Sequence, residues 1–272
     1  MTQEPDPILN NFAEQPGTNT SPELAPSQKP NLPWSGWDVL SIALVALVVI
    51  AISGLIIAFA AHWLIYPSKK LVDVAKEPLI GMLSQMAAYL VVLAFMVSVV
   101  KRNQCHSFWN AIQWNWPSVA TGFLLGGIAL SFGLQGLAHF LPMPKQLPID
   151  KFFQTPAEAW TLSIFGITLA PLMEELFFRG FLYPVLARRL GVVFAIFFTS
   201  LGFGLIHAPQ LGKAWGPVLV VFLVGLALTI VRAITKSVAS GFLIHVAYNG
   251  TISVLLFVAT GGFRHLDKLA SP

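Results

Sequence analysis

Two adjacent glutamates lie inside a hydrophobic segment of the chain. Glu174 and Glu175 follow fourteen uncharged residues, and Arg179 comes four residues after Glu175. Three charged side chains at the centre of a bilayer cost about 7–10 kcal/mol unless they pair or face a wet cavity. Residues four apart share a helical face, so Glu175 can pair with Arg179 while Glu174, turned by about 100°, faces a cavity. A partly desolvated carboxylate gains basicity and suits a general base.

Two later hydrophobic segments each carry a histidine with a partner at helical spacing. Phe203 and His207 are four residues apart, and so are His245 and Asn249. A phenylalanine on the same face can orient an imidazole ring, while a histidine and an asparagine can aim two hydrogen-bond donors in one direction. Such donors can stabilise an oxyanion. Taken singly, each of these polar side chains is more typical of a contact between helices.

The polar residues are more informative together than apart. A carboxylate base, a histidine partner and two oxyanion donors are the groups needed to add water to an amide bond. They fall in three successive hydrophobic segments, between residues 174 and 249. The chain has no HExxH motif, no paired intramembrane aspartates and no GxSG in a hydrophobic segment, which disfavours other intramembrane protease chemistries. Taken alone, the glutamate pair with Arg179 also fits a charge cluster that ends a span.

The composition predicts a membrane protein. Of 272 residues, 56% are hydrophobic and only 10% are charged, and the mean hydropathy is +0.72. Soluble domains carry about 25% charged residues, so a soluble enzyme and a disordered chain are both excluded. The net charge is only +4, and no basic run with interleaved aromatics suggests a nucleic-acid partner. The single cysteine excludes an internal disulfide and a cysteine-based zinc site.

Seven apolar stretches are candidate transmembrane helices. They lie at about 39–66, 79–100, 119–141, 160–186, 192–207, 218–231 and 238–260. The predicted fold is therefore all-α, a polytopic transmembrane helical bundle of about seven spans, with a range of six to eight. The predicted organisation is a flexible Pro-rich tail at 1–36, N-terminal transmembrane helices at 37–157, a catalytic core at 158–260 and a short C-terminal tail at 261–272.

At the polar residues the sequence resembles the CPBP family, also called Abi or type II CAAX prenyl endopeptidase-like intramembrane proteases. That family's signature of EExxxR, FxxxH and HxxxN matches Glu174-Glu175-x-x-x-Arg179, Phe203-x-x-x-His207 and His245-x-x-x-Asn249 in order and spacing. The resemblance covers roughly residues 158–260. It implies an intramembrane endopeptidase of the glutamate or the metallo type.

The resemblance also implies a role for each residue of the motifs. The implied catalytic residues are Glu174, His207, His245 and Asn249, and the implied supporting residues are Glu175, Arg179 and Phe203. In this scheme Glu174 and His207 activate water, and His245 and Asn249 stabilise the oxyanion. No metal is required, but a divalent ion such as zinc would have Glu174, Glu175, His207 and His245 as its candidate ligands.

The predicted partners are a membrane protein or peptide substrate and the lipid bilayer, with no nucleic acid. The chain is predicted to be an integral membrane protein, located in the cell membrane if the source is a prokaryote. Two other functions compete with proteolysis. One is a non-catalytic membrane binding or immunity protein of the same fold. The other is a small proton-coupled carrier, which the absence of internal repeats disfavours.

Overall fold

The structure is a computed structural model that describes residues 32–102 and 107–269. Within these ranges the chain is helical and contains no strand. The α-helices are α1 Gly36–Leu64, α2 Leu71–Val74, α3 Pro78–Arg102, α4 Phe108–Ala111, α5 Ala120–Ala138, α6 Pro156–Ile167, α7 Leu169–Glu175, α8 Tyr183–Leu190, α9 Val192–His207, α10 Trp215–Thr235 and α11 Val238–Ala259. A π-helix, Leu176–Leu182, joins α7 to α8, and 3₁₀ turns cover Pro148–Phe152 and Leu266–Leu269.

In the described part of the chain, six helical segments are long and apolar enough to cross a membrane. They are α1, α3, α5, the composite segment Pro156–Leu190, α10 and α11. A seventh apolar helix, α9, has only 16 residues. The all-α transmembrane bundle is confirmed, because six spans and one shorter helix lie within the predicted range.

The start of α1 is fixed by a cap and an ion pair. Ser35 accepts a hydrogen bond from the Asp38 backbone, and the Asp38 carboxylate bonds back to Ser35. Asp38 also pairs with Arg102 at the end of α3. Trp34 falls within the predicted tail, yet it is buried and donates to the Phe181 carbonyl at 3.1 Å. Residues 1–31 of that predicted tail lie outside the described residues.

Two prolines shape the composite span Pro156–Leu190. Pro171 has no N–H to continue the hydrogen-bond ladder, and the helix breaks at Thr168, where φ is −114° and ψ is −76°. Pro184 likewise cannot bond the carbonyl four residues before it, and the turn that precedes it is wound as a π-helix. All three charged residues of the cluster lie between these prolines. The hydrogen bonding of the segment is therefore irregular around its charged residues.

Close helix contacts at glycines hold the bundle around this segment. A Cβ at Gly127 on α5 would overlap the backbone oxygen of Ile244 and the side chain of Ala247 on α11. On α10, a Cβ at Gly225 would lie 3.0 Å from the ring of Phe203 on α9. Small residues let membrane helices approach closely, since the bilayer supplies no hydrophobic force between them. These contacts pack α5 closely against α11 and α9 closely against α10.

A single residue reverses the chain between α8 and α9. Gly191 has φ of 82° and ψ of 166°, a conformation that disfavours residues with a Cβ. The chain therefore turns back without a loop, and α9 packs against α8. This reversal returns Phe203 and His207 to the level of the charged residues.

Candidate active site

Glu174, at the end of α7, is the centre of the polar cluster. Its Oε1 lies 3.7 Å from His207 Nε2, and its Oε2 lies 3.6 Å from His245 Nε2. The Glu174 side chain is 17% exposed, whereas that of His245 is 4% exposed. Three helices, α7, α9 and α11, therefore bring one carboxylate and two imidazoles to one place.

Glu175 is directed away from that centre into the protein. It is fully buried, and its Oε1 accepts from Arg179 Nη1 at 2.8 Å and from His245 Nδ1 at 3.0 Å. The four-residue spacing of Glu175 and Arg179 produces the ion pair that the sequence predicts, with both side chains at 0% exposure. The adjacent glutamates thus face different surroundings.

All three nitrogen atoms of the Arg179 guanidinium group donate hydrogen bonds. Besides Glu175, it donates to the Gly225 carbonyl at 2.9 Å and to the Thr229 hydroxyl at 3.3 Å. Its Cζ lies 4.7 Å from the centroid of the Phe203 ring, within the range of a cation–π contact. A second buried arginine, Arg232, donates to the backbone carbonyl of Arg179 at 3.1 Å. The charge of Arg179 is therefore compensated and its position fixed.

Hydrogen bonds determine which nitrogen of each histidine faces Glu174. His207 Nδ1 lies 2.8 Å from the Phe203 carbonyl oxygen, which can only accept, so Nδ1 carries a proton. In the neutral ring, Nε2 is then an acceptor that faces Glu174. The same reasoning applies to His245, because its Nδ1 faces the carboxylate of Glu175. The ring of Phe203 also packs on His207, with centroids 4.8 Å apart.

Asn249 connects α11 to the end of α6. Its Nδ2 donates to the Gly166 carbonyl at 2.7 Å, one residue before α6 ends. This bond is the interhelical contact typical of an asparagine in a membrane helix, and it uses one of the two amide hydrogens. Asn249 lines the same cavity as Glu174 and His245.

Two cavities meet at Glu174. The larger, about 400 Å³, lies between α1, α3 and the end of α9, and it includes Leu47 and Ile206, which are also exposed on the outer surface. The smaller, about 310 Å³, extends towards the 3₁₀ turn at Pro148–Phe152. Both are lined by Gln85, Glu174, His207 and Gln210. The residues predicted to be catalytic thus lie where a largely apolar cavity meets a more polar one.

Four polar residues of these cavities were missed from the sequence, and one of them is Tyr248 on α11. Gln85 and Tyr89 come from α3, and Gln210 follows α9. The spacing of Gln85 and Tyr89 was a usable signal, since two polar residues four apart in an apolar span share a face, as His245 and Asn249 do. No local pattern marks Gln210, which the chain places at the site after α9 has ended.

One of the four candidate metal ligands is already bound to other side chains. Glu175 is committed to Arg179 and His245, so Glu174, His207 and His245 remain. Within residues 32–102 and 107–269, no group of three or more His, Cys, Asp or Glu side chains has a geometry that could hold a metal ion. The residues therefore do not fit a zinc site in this arrangement.

Residues 156–251 match the family model described as type II CAAX prenyl endopeptidase Rce1-like. The match spans about a third of the chain and includes all seven residues of the predicted motifs. It confirms the resemblance found in the sequence. No curated protein and no solved structure matches the chain. Together with the six apolar helices of the described residues, the match identifies an integral membrane protein. The matched family supports a CAAX-protease-type intramembrane peptidase activity at the level of the family.

Proposed function

We propose that this protein is an intramembrane endopeptidase in which Glu174 and His207 activate water for attack on a peptide bond. The observation that carries the proposal is the pair of acceptors, Glu174 Oε1 and His207 Nε2, 3.7 Å apart at the junction of two cavities. This distance is too long for a direct hydrogen bond, and two acceptors have no proton to share. A water molecule that donates one hydrogen to each would hold both and direct a lone pair at a substrate.

The reaction is a hydrolysis without a covalent enzyme intermediate. The water oxygen bonds to the scissile carbonyl carbon while its proton passes to Glu174 or His207. The carbonyl oxygen becomes an oxyanion. When the C–N bond breaks, the stored proton passes to the leaving amine, so the products are a carboxylic acid and an amine, which become a carboxylate and an ammonium group when the acid proton moves to the amine. One or both of the basic groups therefore acts first as a base and then as an acid.

His245 and Asn249 are proposed to stabilise the oxyanion. Asn249 keeps one amide hydrogen after its bond to Gly166. His245 donates from Nε2 only in its charged form, because Nδ1 already faces Glu175.

The proposed substrate is a membrane protein or peptide whose chain reaches Glu174 through the larger cavity. That cavity opens between α1 and α9, where its lining residues Leu47 and Ile206 are 68% and 55% exposed. Exposed apolar residues on membrane helices face lipid. A substrate segment can therefore reach the site from the bilayer.

The test compares new peptide termini in membranes from cells that express wild type or Glu174→Gln at matched levels. Loss of a general base typically costs about 10²–10⁴-fold in rate, so termini produced by wild type should be absent from the variant. Glu77→Gln is the control, because Glu77 pairs with Lys69 at the surface and should leave all termini unchanged. Identical termini in wild type and Glu174→Gln would overturn the proposal and favour a non-catalytic binding protein of this fold.

A further inference from the structure

Two polar side chains of α3 face the site from outside the family-matched segment. Gln85 and Tyr89 are four residues apart, and Gln85 Nε2 donates to the Tyr89 hydroxyl at 2.7 Å. The residues of α3 that line the same cavity beyond them, Val92 and Met96, are apolar. Polar groups in the hydrocarbon region are costly and mark functional sites. This pair therefore calls for an explanation beyond packing.

The two cavities place this pair beside the proposed oxyanion donors. Tyr89 lines the larger cavity, whereas His245 and Asn249 line the smaller one. Gln85 and Glu174 line both. A peptide that crosses Glu174 from one cavity to the other puts its reacting carbonyl near His245 and Asn249. The next substrate residue then lies near Tyr89.

Gln85 and Tyr89 offer that substrate residue one donor and one acceptor. The Tyr89 oxygen accepts from Gln85, so its own proton is available, and no acceptor for it is found among the described residues. Gln85 keeps its carbonyl oxygen, which can accept an N–H. The Tyr89 ring stacks on Phe165 with centroids 5.8 Å apart and planes at 15°, which fixes the direction of the hydroxyl.

A peptide backbone in this cavity needs such partners. The lining is apolar apart from the five polar residues Gln85, Tyr89, Glu174, His207 and Gln210. A backbone N–H or C=O without a partner in an apolar space costs several kcal/mol. We propose that Tyr89 donates to the backbone carbonyl, and Gln85 accepts from the backbone N–H, of the substrate residue next to the scissile bond. This inference rests on the proposed function and makes the pair a substrate-positioning device.

The test uses full-length protein in membranes and a synthetic peptide that spans the cleavage position mapped with wild type and Glu174→Gln. Tyr89→Phe keeps the ring and its stacking on Phe165 but removes the donated proton. Gln85→Met removes the amide and keeps the length of the side chain. Loss of one ordinary hydrogen bond predicts a KM about 3–10-fold higher with kcat within about twofold, because the bond is equally present in the ground and transition states.

A modified peptide tests the contact from the side of the substrate. N-methylation of the residue next to the scissile bond removes the N–H from which the Gln85 carbonyl oxygen is proposed to accept a hydrogen bond. The modification should raise the KM of wild type about 3–10-fold and should raise that of Gln85→Met no further. An equal effect on both proteins would overturn the proposed contact.

The control is Tyr183→Phe, since Tyr183 is a buried phenol that lines neither cavity. Its KM should equal that of wild type. A purely structural role for Tyr89 would lower the amount of folded protein without changing KM. Unchanged KM in Tyr89→Phe and Gln85→Met, with Glu174-dependent cleavage intact, overturns this inference alone. The absence of any Glu174-dependent cleavage overturns the proposed function, and this inference with it.

Discussion

Replacing Gly241 with alanine tests whether cleavage requires Glu175 to stay in its present position. Gly241 lies on α11, one turn before His245, and a Cβ there would lie 2.8 Å from Glu175 Oε2. That oxygen is buried and has no hydrogen-bond partner among the described residues, while Oε1 is bound to Arg179 and His245. Ordinary contact begins at 3.4 Å, so the carboxylate or α11 must move by about 0.6 Å (3.4 − 2.8).

Gly241→Ala is expected to lower both the stability of the protein and its rate of cleavage. Overpacking a well-packed site costs about 1–3 kcal/mol, and alanine in place of a helical glycine recovers about 0.5–1 kcal/mol. The net destabilisation is therefore at most about 2.5 kcal/mol. A displacement of about 1 Å at a catalytic site can cost about 100-fold in rate. Because His245 is bonded to Glu175, we expect Gly241→Ala to cleave about 10–100-fold more slowly.

The matched control is Gly250→Ala in the same helix, where a Cβ would meet nothing within 4 Å. It should cleave at the wild-type rate and be as stable as wild type or slightly more so. The assay measures the rate at which Glu174-dependent termini form in membranes with matched protein levels, together with thermal unfolding of each purified variant. If Gly241→Ala cleaves as fast as Gly250→Ala, the position of Glu175 does not control the site and the reasoning is wrong.

Three further predictions test the buried pair, a helix contact and the role of metal. Arg179→Met leaves the buried charge of Glu175 uncompensated, which typically costs about 3–5 kcal/mol, so its unfolding temperature should fall sharply and recover in part when combined with Glu175→Gln. An unchanged unfolding temperature in the single variant would contradict the buried ion pair. Gly127→Ala should push α5 away from α11 and lower stability by about 1–3 kcal/mol, while Gly126→Ala, with nothing within 4 Å, should not. Equal stability of these two variants in thermal unfolding would count against the contact. A zinc chelator should leave cleavage by the purified protein unchanged, and inhibition that added zinc reverses would establish a metal-dependent reaction.

The spans were predictable because each consists mainly of apolar residues. The predicted stretch 192–207 coincides with α9, and 238–260 differs from α11 by one residue. The composite span is four residues longer at each end than the predicted 160–186. Its ends follow from the Thr155 cap before Pro156 and the reversal at Gly191. Hydropathy reports the apolar run but not the break at Thr168 or the π-helix within it.

The contacts within each motif could also be predicted from the sequence, since helical spacing alone places Glu175 beside Arg179 and Phe203 beside His207. Contacts between helices that are distant in sequence could not be predicted in this way. Asn249 meets Gly166 across 83 residues, and the Gln85–Tyr89 pair reaches the site only because α3 packs against α6 and α7. Spacing within one helix determines which residues share a face. It cannot determine which other helix that face meets.

The two glutamates have different surroundings because they are adjacent residues of one helix, α7. Adjacent residues of a helix differ by about 100° in direction, so one carboxylate can face the cavities while the next faces the bundle interior. The interior one, Glu175, must be neutralised, and Arg179 does so at a cost that Gly225, Thr229 and the ring of Phe203 reduce. The same glutamate orients His245, whose other nitrogen faces Glu174. Glu175 is therefore linked to Glu174 through the imidazole of His245. This link is why, in the proposed reaction, a displacement of Glu175 should slow cleavage although Glu175 does not contact the substrate.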